Sequence, residues 1–212
     1  MTRILLTSGL LPACAMYKAD GGKDEANSPM GERMILQTAL GQFVLRPEQA
    51  HDEPFLYVLF RHDALADLAQ SQADPATQDA LTRMQFRARH ASYHARHPDG
   101  DFAIIEQDGA AIGRIVIDDR PEAAHIVDFA LLPPYRARGV GSAVLGAVLP
   151  RLGQGMRPVR CMVLSTNEAS LRMCRRLGFV ETGAADPFVL LAWPPDTQLG
   201  APHGAGHGAP PG

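Results

Sequence analysis

The segment from Leu131 to Leu145, with the sequence LLPPYRARGVGSAVL, constrains the fold more than any other part of the chain. An apolar run ends at two prolines, an Arg-x-x-Gly-x-Gly turn follows, and apolar residues with helical spacing come after it. This order predicts a strand, a glycine turn and the start of a helix. Glycine lets a ligand approach the backbone closely, and the helix start adds a positive dipole end, so the turn is typical of a phosphate-binding site.

Three phosphate-binding motifs contain such a turn, and their spacing separates them. A P-loop requires Gly-x-x-x-x-Gly-Lys-Ser/Thr, which does not occur in the sequence. A dinucleotide fingerprint requires Gly or Ala three residues after its second glycine, but Val144 stands there, after Gly139 and Gly141. The turn resembles motif A of the GNAT superfamily of N-acetyltransferases, Arg/Gln-x-x-Gly-x-Gly/Ala, which binds the pyrophosphate of acetyl-CoA.

A second segment, from Asn167 to Phe179, has the sequence NEASLRMCRRLGF and resembles GNAT motif B. That motif is written Asn-x-x-Ala-x-x-x-Tyr-x-x-x-Gly-Phe. The residues themselves predict a short capped helix, because Asn167 is a good N-cap and Gly178 can adopt the left-handed stop. Two motifs in this order favour the GNAT assignment over a coincidental glycine turn.

The remaining pattern predicts a mixed α/β fold. Strands are predicted at 43–46, 102–106, 112–117, 124–132, 159–164, 180–182 and 188–193. Helices are predicted at 49–68, interrupted by Pro54, at 75–97, and after Gly141, with an end or a kink at Pro150. Asp108-Gly109 predicts a hairpin, and Leu81, Met84, Ala88 and Ala91 form the predicted apolar stripe of the second helix. The order resembles the GNAT fold, a central mixed, mostly antiparallel sheet flanked by helices, with strands splayed at the acetyl-CoA site.

Both ends are predicted to lie outside the domain, which spans 41–195. Residues 1–40 form an N-terminal extension, expected to be flexible, in which 18–33 has the composition of a linker. The apolar run from Ile4 to Leu11, with the residues as far as Cys14, faintly resembles a lipoprotein signal, but it is short and contains Thr7, Ser8 and Gly9. A start at Met30 or Met34 is an equally plain explanation. Residues 196–212 are rich in Pro, Gly, Ala and His and are expected to be disordered.

Composition narrows the classes of partner. A formal net charge of −3 gives no reason to expect nucleic acid or an anionic membrane, and no window reaches membrane-spanning length. Three cysteines are too few for a disulfide framework or a zinc site. We therefore expect a cytoplasmic protein whose partners are acetyl-CoA and an amine acceptor, without a metal; the sequence leaves a homodimer open.

The resemblance also implies a binding site for acetyl-CoA as co-substrate. In GNAT enzymes the strands before motifs A and B splay apart, and pantetheine lies between them. The implied contacts are Leu131 and Leu132 for pantetheine, Arg136, Ala137, Arg138, Gly139, Val140, Gly141 and Ser142 for the pyrophosphate, and Asn167 for a pantetheine amide. The two arginines add complementary charge, although surface arginines also occur without a ligand.

Direct attack of an amine on the thioester, which the resemblance implies, needs a group that takes a proton. Asp128 and His125 lie on the strand before motif A, where several GNAT enzymes carry an acidic residue or a water-held relay. Their spacing directs them to opposite faces of a flat strand unless a bulge intervenes. Asp128 interrupts an apolar run, which is costly unless the carboxylate is paired or functional, so we favour it as the base and leave a structural role open.

Cys174 occupies the position where many GNAT enzymes carry a tyrosine that protonates the CoA sulfur. A thiol is shorter and is a weaker donor, with a reference pKa of about 8.5. Cys174 is therefore the third candidate catalytic residue. Its helical spacing also suits a packing residue, which we favour over a covalent acetyl-cysteine relay.

A basic stripe is predicted on the second helix, formed by Arg83, Arg87, His90, His94 and His97. As a solvated helix face it needs no function. At the edge of a cleft it would favour an acceptor with a carboxylate or phosphate over a polyamine. A metal triad of His90, His94 and His97 is the least favoured reading.

Two function classes remain. One is an acetyl-CoA-dependent N-acetyltransferase that acts on an amine of a small molecule or peptide. The other is a non-catalytic acyl-CoA-binding or partner-binding module with the same fold, which the absence of the tyrosine favours. A dinucleotide oxidoreductase is a distant third.

Overall fold

The computed structural model describes residues 3–5, 33–68, 74–154 and 157–193. The strands are β1 (Arg3–Leu5), β2 (Met34–Thr38), β3 (Gly41–Pro47), β4 (Asp101–Gln107), β5 (Ala110–Asp119), β6 (Ala124–Leu131), β7 (Val159–Leu164), β8 (Val180–Ala185) and β9 (Phe188–Trp193). The α-helices are α1 (Glu53–Leu68), α2 (Pro75–Arg96), α3 (Val140–Leu152) and α4 (Glu168–Arg176). The predicted lipoprotein-like segment from residue 6 on, the linker up to residue 32 and the tail from residue 196 lie outside these ranges.

The strands form one mixed sheet in the order β2-β3-β4-β5-β6-β7-β9-β8. Neighbours are antiparallel except β6 and β7, which are parallel and pair only between Ala124–Ile126 and Val159–Cys161. Beyond this short ladder the two strands separate. The predicted mostly antiparallel sheet with splayed strands is therefore confirmed.

Strand β1 pairs with β6 just beyond the point where β6 and β7 separate. Arg3, Ile4 and Leu5 face Ala130, Phe129 and Asp128 in antiparallel register. Because β5 occupies the other edge of β6, β1 uses the edge that faces β7, and it also contacts β7. A piece of the predicted N-terminal extension thus lies in the gap of the sheet.

Helices cover both faces of the sheet. The largest apolar core lies between the sheet and the helices α3 and α4, and includes Phe129, Val144 and Cys174. Two smaller clusters pack α1 and α2 against the other face, through Phe86 on Ile104 and Tyr93 on Val127. Strand β6 is buried between these two layers, so its side chains reach both sides of the molecule.

Local sequence signals are confirmed at several element ends. The side chain of Asp74 accepts hydrogen bonds from the N–H groups of Ala76 and Thr77 and caps α2. The hairpin between β4 and β5 turns at Asp108 and Gly109, which both have positive φ. Such short-range signals depend only on neighbouring residues, which explains why they can be read from the sequence.

Element bounds can be compared with the predictions at three places. Strand β2 starts at Met34 and joins the sheet ahead of residue 41, the expected domain start. The predicted helical stretch 49–68 is divided just before Pro54 into a short 3-10 helix, Ala50–Asp52, and α1, in whose first turn the missing N–H of Pro54 costs nothing. Helix α3 does not end at Pro150 but continues to Leu152; the carbonyl of Gly146, which loses its hydrogen bond, lies on the exposed side, where water can satisfy it.

The predicted apolar stripe of α2 is also wrong. Leu81 and Met84 are 39% and 61% exposed, whereas Thr82, Phe86 and Tyr93 are buried. The two aromatic rings of Phe86 and Tyr93 bury a large apolar area against the sheet, so the helix turns this face inward instead of the predicted stripe. In the described ranges, no helix is long and apolar enough to cross a membrane.

Candidate active site

The glycine turn after β6 has the conformation that its sequence predicts. Gly139 has a φ of 82° and is the N-cap of α3, and Ala137 is a second residue with positive φ, at 56°. The first N–H groups of an α-helix have no partner within the helix. They converge at this turn with the positive end of the helix dipole.

A cavity of about 380 Å³, the α3 cavity, opens at the turn between α3 and α4. Its lining residues are Leu131, Tyr135, Arg136, Ala137, Gly139, Gly141, Ser142, Ala169, Arg172, Met173 and Arg176. Three arginines are among them, and none of these residues is acidic. The cavity combines positive side chains with a helix start, which is the chemistry of an anion site.

Gly141 lies in a closely packed position. A Cβ added there would lie 3.0 Å from Sδ of Met173 and 3.4 Å from Cε1 of Phe129. The glycine thus lets α3 approach both α4 and β6. It keeps the backbone of the turn at the cavity wall, where a ligand can reach it.

The structure brings six of the ten predicted cofactor contacts to the α3 cavity: Leu131, Arg136, Ala137, Gly139, Gly141 and Ser142. Nε of Arg136 donates to the carbonyl of Leu131 at 2.6 Å, which anchors the guanidinium at the end of β6. Arg172 and Arg176 of α4 complete the basic wall. Their signal in the sequence is their place on the helix of motif B, where the pattern itself predicts only a capped helix.

The other four predicted contacts do not line the cavity. Val140 is buried in the core, and the N–H of Leu132 donates to the carbonyl of Ile112 at 2.8 Å. Arg138 donates to the carbonyl of Pro134 at 3.3 Å. The side chain of Asn167 accepts from the N–H of Ser170 and caps α4.

A second, much smaller cavity lies on the opposite face of β6, under α1 and α2. This α2 pocket has a volume of about 20 Å³ and is lined by Leu56, Leu59, Phe60, Phe86, Arg89, His90, Tyr93, Arg114, Asp128 and Ala130. A buried ion pair forms its floor, because Arg114 donates to Oδ2 of Asp128 at 2.7 Å. Arg89 lies 3.9 Å from Oδ1 of Asp128 and donates to the hydroxyl of Tyr93 at 2.6 Å.

A β-bulge directs Asp128 into the α2 pocket. Asp128 faces Val116 and Ile126 faces Ile117, so Val127 is an extra residue on β6. Consequently Val127, which packs on Tyr93, and Asp128 point to the same side of the sheet. A flat strand would direct the two candidate bases, His125 and Asp128, to opposite faces of β6; this bulge removes that constraint.

His125 does not line either cavity. It pairs in register with Asp118 and Arg160 at the other end of β6, where burial lowers its pKa to about 4. Of the two candidate bases, the structure therefore brings only Asp128 to a cavity.

Arg114 and Asp128 of the α2 pocket stabilise each other in their charged forms. Burial is the largest influence on Arg114 and lowers its pKa, but Asp128, Tyr93 and Glu48 together outweigh it, so the pKa is raised. Arg114 is therefore a permanent cation, and its ion pair fixes the position of the Asp128 carboxylate.

A profile of the acetyltransferase (GNAT) family matches residues 62–179, which include the turn, both motifs and the part of the α2 pocket formed by α2, β5 and β6. The chain belongs to the GNAT acetyltransferase family. Its enzyme class is a GNAT-type N-acetyltransferase, as the two motifs predicted. Comparison with curated protein sequences finds no match.

Solved structures of other GNAT proteins share the fold. RimJ of Mycobacterium smegmatis, in complex with CoA-disulfide, is 20% identical with a TM-score of 0.54, over 76% of this chain and 85% of RimJ. The PaiA N-acetyltransferase of Thermoplasma acidophilum, in complex with coenzyme A, is 16% identical with a TM-score of 0.53, over 71% of this chain and 97% of PaiA. RimL, a ribosomal L7/L12 alpha-N-protein acetyltransferase, is 20% identical with a TM-score of 0.52, over 76% of this chain and 92% of RimL.

Cys174, at the position of the GNAT tyrosine, is fully buried in the core and does not line the α3 cavity. It lies against Cys161 of β7. The contact between the two thiols and their burial raise the pKa of Cys161. These surroundings favour a packing role for Cys174 and leave its catalytic role a prediction.

The basic stripe of α2 is not one surface in this GNAT domain. Arg83 is bound by Asp79, and Nδ1 of His97 lies 2.9 Å from Oδ2 of Asp118. Arg87 is exposed, 3.9 Å from Glu53. His90 and His94 face a residue that the sequence analysis did not single out, Glu48.

Proposed function

We propose that this enzyme transfers an acetyl group from acetyl-CoA to a primary amine of a small molecule or peptide by direct attack on the thioester. The observation that carries the proposal is the placement of β6 between two cavities. Leu131 lines the α3 cavity, whereas Asp128 and Ala130 line the α2 pocket. A thioester in the gap between β6 and β7 would be reached by an amine from the α2 side.

The residues of the α3 cavity match the needs of a CoA pyrophosphate. Arg136, Arg172 and Arg176 supply charge, and the turn at Gly139 supplies N–H groups. Coenzyme A is named in the structures of RimJ and PaiA, which supports a ligand of this class here. Pantetheine in the gap beside β6 would require strand β1 to withdraw.

The α2 pocket has room for about one water molecule, so the amino group of an acceptor would enter it while the rest of the acceptor stays outside. Asp128 is the acidic residue among its lining, and we assign it the proton of the attacking amine. Arg114 holds the carboxylate in place, and Arg89 would favour an acceptor with an anionic group near its amine.

The non-catalytic acyl-CoA-binding module is the second candidate. It is favoured by the burial of Cys174, because neither an accessible thiol nor a phenol stands at this position to protonate a leaving thiolate. The ion pair between Asp128 and Arg114 also favours the binding module, since an ion-paired carboxylate is a weaker base.

A thiol-release assay separates the candidates. Acetyl-CoA is incubated with the protein and a panel of primary amines, small molecules as well as peptides, and free CoA is measured with a thiol reagent. Amine-dependent release that is lost in Asp128→Asn supports the transferase. Acetyl-CoA binding by calorimetry without release for any amine would favour the binding module, and NAD binding without CoA binding would exclude both.

A further inference from the structure

Two histidines and a glutamate meet where α2 crosses the end of β3. His90 and His94 are one helical turn apart on α2, and Glu48 follows β3 directly. Oε1 of Glu48 lies 3.5 Å from Nε2 of His90 and 3.4 Å from Nε2 of His94. We call these residues the Glu48 cluster; their three ligand atoms lie within 4.8 Å of one another.

These distances match coordination better than hydrogen bonding. A good hydrogen bond between nitrogen and oxygen spans about 2.7 to 3.2 Å, shorter than both separations. A tetrahedral zinc ion bound at about 2.0 to 2.1 Å holds its ligand atoms about 3.3 to 3.4 Å apart. Both separations between Glu48 and a histidine are thus close to the ligand–ligand distance of such a site.

Neighbouring rings fix the two imidazoles in place. The ring of His94 stacks on Phe102, with centroids 3.9 Å apart and planes inclined by 17°. The ring of His90 stacks on Phe86 at 5.6 Å and 28°. The N–H of Glu48 donates to the carbonyl of Phe102 at 2.9 Å, so Phe102 supports both Glu48 and His94. Ligands held in this way lose little conformational entropy when an ion binds.

Arg114 approaches the other oxygen of the Glu48 carboxylate. Its Nη1 lies 3.9 Å from Oε2 of Glu48, whereas its Nη2 lies 2.7 Å from Oδ2 of Asp128. Oε1, the oxygen that faces both imidazoles, is therefore not the atom that Arg114 approaches.

We propose that Glu48, His90 and His94 bind one divalent transition-metal ion of the zinc type, with solvent as the fourth ligand. Two imidazoles and one carboxylate suit zinc and its first-row neighbours, whereas Mg²⁺ and Ca²⁺ prefer oxygen ligands alone. The His94 side chain is 45% exposed, so an ion can enter from solvent. Because His90 also lines the α2 pocket, the ion would fix α2 at the wall of that pocket.

Zinc titration of the full chain tests the proposal. His203 and His207 are first replaced by glutamine, so that C-terminal imidazoles do not contribute. Calorimetry should show one micromolar site for Zn²⁺ and none for Mg²⁺. Glu48→Gln and His94→Gln should each weaken zinc binding about 10-fold or more, since each removes a direct ligand.

Two control variants separate this site from other histidines. His97→Asn keeps a donor for Asp118 and should bind zinc as before, which distinguishes the Glu48 cluster from a triad with His97. His62→Gln removes an exposed histidine of α1 and should have no effect. The absence of micromolar zinc binding, or binding that survives both ligand substitutions, would overturn the proposal.

A measurement on the unaltered cluster makes the result independent of variant folding. Diethyl pyrocarbonate modifies accessible imidazoles, and mass spectrometry locates the modified residues. Zinc should protect His90 and His94 but not His62, and it should raise the Tm by about 5 °C at a hundredfold excess over its dissociation constant. Equal modification of His94 with and without zinc would show that the ion binds elsewhere.

Discussion

The α3 cavity and the α2 pocket lie on opposite faces of β6 and are built in opposite ways. The α3 cavity comes from the turn after β6, the start of α3 and one face of α4, and of its arginines Arg172 pairs with Glu168 at the exposed surface, at 3.0 Å. The α2 pocket draws its residues from α1, α2, β5 and β6, and its buried arginine is paired with Asp128.

This difference separates two uses of arginine. At the α3 cavity, positive charge is available to an anionic ligand, so ligand binding there should depend on charge and on salt. In the α2 pocket the charge of Arg114 is paired with the carboxylate of Asp128 and positions it. Substitutions in the two regions should therefore change different quantities, affinity for acyl-CoA in the first and turnover in the second.

Gly141→Asp should have the largest effect. The new side chain meets Met173 and Phe129 and places a negative charge at the helix start, so acetyl-CoA binding should weaken about 100-fold or more. Gly146→Asp makes the same chemical change on the exposed side of α3 and is the matched control. Calorimetry measures both, with circular dichroism to confirm folding; retained binding in Gly141→Asp would place the phosphates elsewhere.

Asp128→Asn should lower kcat about 100-fold while acetyl-CoA affinity changes little, if Asp128 takes the proton. The substitution keeps the shape of the side chain beside Arg114. Steady-state kinetics and calorimetry on the same preparation check the split. A parallel loss of affinity and turnover would mean that the two regions are not separate.

His125 should affect stability rather than turnover. Its pKa of about 4 in the folded state is below the unfolded value of about 6.5, so the unfolded chain binds the proton first as the pH falls. Stability should therefore decrease by about 3 kcal/mol from pH 7 to pH 4 through this residue. Denaturant unfolding of His125→Gln should show a smaller decrease over this range, whereas the exposed control His62→Gln should keep the full slope.

Arg176→Gln should weaken acetyl-CoA binding about 5-fold, because one exposed charge of the α3 cavity is lost. Arg175→Gln changes the neighbouring residue, which is bound to Glu181 and does not line the cavity, and should leave the affinity unchanged. The difference between the variants should shrink at high salt. Equal effects of both substitutions would argue for a general charge effect of α4.

Removal of residues 1–32 should have the smallest effect, an increase of about 3-fold in acetyl-CoA affinity, because strand β1 no longer lies beside β6. The matched control removes residues 196–212 and should leave the affinity unchanged. Lower affinity in the N-terminal truncation would show that β1 supports the cofactor site.

The sequence predicts the α3 cavity well and the α2 pocket poorly, for a physical reason. Turn geometry at Gly139 and capping by Asn167 depend on adjacent residues, so the pattern alone indicates them. The partnership of Arg114 with Asp128 depends on the register of β5 against β6 and on a bulge at Val127. No local signal encodes that register, and Glu48 joins His90 and His94 only after α2 has packed on the sheet.

The buried face of α2 illustrates the same limit. Its periodicity allows more than one apolar stripe, and the choice is made by the aromatic residues Phe86 and Tyr93 against the sheet. Rotation of the helix also decides that Arg89 reaches Asp128 while Arg87 stays exposed. Long-range packing, rather than helix propensity, assembles the acceptor side.

If the proposed acetyl-CoA binds in the gap of the sheet, the pairing of β1 with β6 makes part of the chain a tethered competitor for it. A diffusible inhibitor is weakened by dilution, but a segment of the same molecule keeps a constant effective concentration. The apparent dissociation constant for acetyl-CoA would then be the intrinsic one divided by the fraction of molecules in which β1 has withdrawn. Occupancy of the enzyme would respond to the level of acetyl-CoA and to anything that captures residues 3–5, and not to the amount of the enzyme itself.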